Sequence, residues 1–87
     1  MPDFEGQVRD RRRLGVNFFS VIRAAKKVTS NPAFEPSSQQ DLVDAIFTEL
    51  IGKDLPQARA SEPGIDWDAV IAFIMKILPL ILMIFGL

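Results

Sequence analysis

Residues 66–87 read DWDAVIAFIMKILPLILMIFGL, and the fold depends on what this stretch packs against. From residue 69 to the end, 16 of 19 residues are apolar and Lys76 carries the only charge. Asp66 is a good helix N-cap, and Asp68 is well placed at the positive end of a helix that then runs to the terminus. At about 1.5 Å per residue the apolar run is ~28 Å long, close to the ~30 Å of a bilayer's hydrocarbon core. On the insertion scale its twelve Ile, Leu, Phe and Val residues are worth roughly −4 to −7 kcal/mol and a central Lys costs about +3, so insertion is favoured by a modest margin. Trp67 is expected at the membrane interface, with Lys76 reaching toward it. Pro79 is compatible with a membrane helix whose freed carbonyl is satisfied by neighbours.

The same run is sided. Trp67, Val70, Ile74, Ile77, Ile81 and Ile84 are spaced 3, 4, 3, 4, 3, a heptad seam in which the last five residues are β-branched. Lys76, Pro79, Gly86, Ala69 and Ala72 all fall away from it. Ile at both seam positions favours coiled coils of more than two strands, so the pattern predicts a helix that associates with copies of itself or with partner subunits.

The net charge of −1 conceals a strong asymmetry. Residues 1–30 carry seven Lys and Arg against three acids (+4), and residues 31–68 carry two against eight (−6). The basic segment predicts an amphipathic helix over about 7–28, in which Leu14, Phe18, Val21, Ala25 and Val28 recur at helical spacing. Gly15 is the point at which that helix could break. The acidic segment predicts a second helix over about 38–51, opened by a capping-box-like Ser37 or Ser38 and closed by Gly52, with Val43, Ile46, Phe47 and Leu50 on its apolar face. The Asn31-Pro32 turn between them suggests an antiparallel hairpin. Residues 52–64 hold Pro56, Pro63 and two glycines and read as a flexible linker. The expected organisation is therefore all-α: a helical region over 1–51, a linker over 52–64 and a hydrophobic helix over 65–87.

The inventory narrows the chemistry. With no Cys and no His, disulfides, the usual zinc sites and His-dependent nucleophile systems are excluded. Asp41, Asp44 and Glu49 lack a glycine-pinned calcium loop and read as a solvated helix face. No catalytic residue, cofactor or metal ligand is expected. Arg11, Arg12, Arg13, Arg23, Lys26 and Lys27 could meet anionic lipid, aided by Phe18 and Phe19, or pair with the acidic helix. Nucleic acid is disfavoured, because the chain as a whole is not basic and carries no recognised binding motif. The acidic N-terminus, with no apolar run behind it, does not resemble a secretory signal. These features predict a non-catalytic, single-span membrane protein, a tail anchor with its N-terminal region in the cytoplasm, acting as a structural or assembly component. The alternatives are a subunit of a larger particle, such as a phage virion, with the helix buried against protein, and a holin-like pore oligomer.

Overall fold

A computed structural model describes residues 14–35 and 38–85. Among them there are four helices and no strands: α1 (Phe18–Ser30), α2 (Gln39–Ile51), α3 (Leu55–Ser61) and α4 (Trp67–Phe85). The predicted all-α class and the long apolar C-terminal helix are both present. The portions of the first predicted helix over 7–13, the alternative cap Ser37 and the terminal Gly86 and Leu87 lie outside the described residues.

Each helix starts where a side chain captures a free backbone N–H. For α1 that residue is Asn17, whose Oδ1 accepts from the Ser20 N–H at 2.9 Å while the Asn17 N–H donates to Ser20 Oγ at 2.8 Å, a reciprocal capping box. The helix predicted over about 7–28 is thus interrupted at the weak point that Gly15 marks. Gly15 takes a left-handed φ of 72°, which glycine adopts at little cost, and the chain restarts at Asn17. Ser38 caps α2 by accepting from the Asp41 N–H, and Gly52 ends it at φ 84° with its N–H on the Thr48 carbonyl. Asp66 accepts from the Ala69 N–H at 3.1 Å at the start of α4, as the sequence predicts.

The flexible linker is also corrected. Asp54 caps α3 through the Gln57 N–H at 2.9 Å, and Pro56 sits in the first turn, where its missing N–H costs nothing. Ala58 is buried and joins the hydrophobic core, so a residue of the segment that read as a linker is part of the packing, as is Ile65 just beyond it.

α1, α2 and α4 each pack on the other two. Their common core joins Val21, Ala24, Ala25 and Val28 of α1 to Leu42, Val43, Ile46 and Phe47 of α2 and to Trp67, Val70, Ile74, Ile77, Leu78 and Ile81 of α4. No polar or charged residue is buried among the described residues. The Trp67 indole N–H is satisfied by the Glu62 carbonyl at 2.9 Å, and its ring meets Phe47 edge-to-face at 5.7 Å. Full burial of Val70, Ile74, Ile77, Leu78 and Ile81 is worth ~8–15 kcal/mol at most, as large as the net stability of a typical domain. The α1–α2 hairpin therefore depends on α4 to close its core.

Two substitutions check this packing. Phe47→Ala is expected to cost about 3–5 kcal/mol in urea unfolding followed by Trp67 fluorescence. Gly52→Ala, which forces an L side chain into the left-handed region, is expected to cost about 1 kcal/mol.

Candidate functional site

With its seam inward, α4 turns its other side to solvent. Asp68, Ala72, Lys76, Pro79 and Met83 follow one another at spacings of three and four along this outer face, and all are exposed. Met75, Leu80 and Ile84 flank them, with Met83 at 73% and Ile84 at 57% exposure. Past Asp68, the one charged group on this face is Lys76, which has no ion pair among the described residues. A solvated helix normally carries polar residues on its outer side, so this largely apolar face is the candidate site.

α4 is long and apolar enough to cross a membrane, with a mean hydropathy of 2.3 over its best window. The core helix of a soluble protein can match those figures, but such a helix is mostly buried. Only 28% of this window is buried within the chain.

The seam residues do not lie where self-association would need them. Trp67, Val70, Ile74, Ile77 and Ile81 are all buried against the chain's own helices, and only Ile84 remains exposed. Trp67 likewise sits inside the core on Phe47 rather than free to meet an interface, whereas Lys76 is exposed. Spacing revealed which side of α4 is buried but not that the partner helices belong to the same chain. The outer face was legible from the residues that the seam excludes, Ala72, Lys76 and Pro79.

On α1, Arg23, Lys26 and Lys27 are exposed beside Phe18 and Phe19, whose rings meet edge-to-face at 5.7 Å. Arg11, Arg12 and Arg13 lie outside the described residues. Lys27 approaches Glu49 of α2 at 3.6 Å, a solvent-exposed pair worth ~0–1 kcal/mol. Asp44 accepts a hydrogen bond from Gln40, and no cluster of three or more potential metal-ligating residues occurs among the described residues. The open cleft between α1 and α2, lined by Ser20, Arg23, Lys27, Glu49 and Leu50, presents two cations and one acid without a nucleophile system around them. Compared with protein-family models, curated proteins and solved structures, the chain gives no match, so the functional reading rests on geometry and charge.

The two faces of α4 should respond oppositely to polar substitution. Ile77→Asn places an unpaired amide in the core and is expected to lower stability by about 3 kcal/mol or more. Met83→Ser is expected to leave stability within about 0.5 kcal/mol while raising solubility. Thermal unfolding and saturation concentration check the pair.

Proposed function

We propose that this protein is a non-catalytic, membrane-associated structural or assembly component whose α4 makes the lipid contact. The observation that carries this reading is the exposed apolar face over Ala72, Met75, Pro79, Leu80, Met83 and Ile84, on a helix whose most apolar window is only 28% buried in the chain. In this reading the folded molecule seats α4 along the bilayer surface with the hairpin above it.

Energetics support a surface seat over a span. Withdrawing α4 uncovers Val21, Val43, Ile46 and Phe47; at about half the ~1.5–3 kcal/mol of full burial each, that costs ~3–6 kcal/mol. Insertion returns only ~1–4 kcal/mol once Lys76 is counted. Pro79 adds to the difference. It removes the helical donor to the Met75 carbonyl, which water supplies at an interface and hydrocarbon does not. A span as a tail anchor, with the N-terminal helices in the cytoplasm, is the second reading. It is favoured by the 19-residue length of α4 and its hydropathy, and it requires the hairpin to find another cover for its core.

Fractionation of cells expressing the full chain tests both. The protein is expected with the membranes and is expected to be released by alkaline carbonate. Retention after carbonate would favour the span, and recovery in the soluble fraction without detergent would contradict membrane association.

A further inference from the structure

The cleft between α1 and α2 holds a charge arrangement that lipid contact by α4 leaves unused. Arg23 and Lys27 lie one turn apart on α1, where Cβ atoms are ~5–6 Å from each other, and they share the cleft with Glu49 of α2. The buried Ala24 and the half-buried Leu50 supply its apolar lining. Ser20 adds no free group, because its hydroxyl donates to the Asn17 carbonyl at 2.9 Å and accepts from the Asn17 N–H at 2.8 Å within the helix cap. Lys27 stands 3.6 Å from Glu49, longer than a hydrogen bond, with 67% of its side chain exposed. An exposed pair of this kind holds its partners weakly. Arg23 has no ion pair among the described residues.

We infer that this cleft binds the phosphate group of a monoester, held by the Arg23 guanidinium and the Lys27 ammonium. Its volume of about 120 Å³ is well below the ~300–1,000 Å³ of pockets that enclose whole ligands, so it admits one compact group and leaves the rest of the ligand outside. A planar guanidinium fork takes two oxygens of an anion at once. A carboxylate then has both oxygens engaged, whereas the three terminal oxygens of a monoester leave one for Lys27. A phosphate monoester carries roughly −1.5 to −2 charges at pH 7, which matches two cations once Lys27 turns from Glu49 to the ligand. Glu49 is then an acid beside the bound anion and weakens its binding. A soluble phosphomonoester and a phosphatidic acid headgroup both present this chemistry. The cleft shares no residue with the outer face of α4, so it stands or falls independently of the lipid contact.

Titration of the full chain with glycerol phosphate, followed by the NMR amide shifts of α1 and α2, provides the test, with acetate at matched ionic strength as the comparison. A saturable shift is expected with glycerol phosphate, and binding at least ~10-fold weaker with acetate. Variants with unchanged circular dichroism separate a site from general attraction to cations. Arg23→Gln and Lys27→Gln are each expected to weaken binding about 10-fold, whereas Lys26→Gln removes the same charge outside the cleft and is expected to stay within about 2-fold. Glu49→Gln is expected to tighten binding about 3-fold. A shift that does not saturate, equal binding of acetate, or equal losses from Lys26→Gln and Arg23→Gln would overturn the site, as would weaker binding by Glu49→Gln. Vesicles then distinguish the two sources of the monoester. Displacement of radiolabelled glycerol phosphate by vesicles containing phosphatidic acid, but not by pure phosphatidylcholine, would support the site with a lipid headgroup as its ligand. Retention of the label with both vesicle types would support it with a soluble phosphomonoester.

Discussion

The packing of one side of α4 into the α1–α2 hairpin is the constraint on which the rest of the molecule depends. Ile74 and Ile81 are completely shielded, as are Val21 of α1 and Ile46 of α2. Neither part of this arrangement is self-sufficient. Two 13-residue amphipathic helices are marginal in isolation, and a 19-residue apolar helix has no place in water. Docking resolves half of each difficulty. It covers the hairpin and the seam, and it leaves the outer side of α4 as an apolar surface without cover.

That residue of exposed apolar area is what connects the fold to function. A chain of this length has too few elements to wrap a central helix on every side. The remaining face is the one that the proposed function assigns to lipid. The acidic α2 adds little to stability through its exposed pairing with Lys27.

Much of the fold was legible in the sequence, for identifiable reasons. Ser38, Gly52 and Asp66 delimit their helices because capping chemistry is local, and the buried side of α4 follows from a spacing that only a helix produces. The break at Gly15 was legible as a weak point in the helix, but the new start at Asn17 was obscured by an apolar stripe that continues through it, although Asn17-x-x-Ser20 is itself a capping signal. α3 was missed because Gly52, Pro56 and Pro63 give residues 52–64 the composition of a linker. Its helical turn is set by Asp54, and its packing rests on one small residue, Ala58. Leu42 was overlooked on α2, where it is more buried than the predicted Leu50. For the site, the cations on α1 and the exclusion of Lys76 and Pro79 from the seam were legible. The partner of the seam was not, because a heptad pattern is the same whether the helices it meets belong to one chain or to several.

The native chain contains no cysteine, so single cysteines can be placed on either side of α4 without background. The most direct test of the account compares maleimide labelling rates of Ile74→Cys and Met83→Cys in the full chain without lipid. Packing of the seam into the hairpin predicts that Met83→Cys reacts at the rate of an exposed thiol and Ile74→Cys at least ~100-fold more slowly, since its reaction must await opening of the core. Equal rates at the two positions would contradict the account, because α4 would then be free of the hairpin.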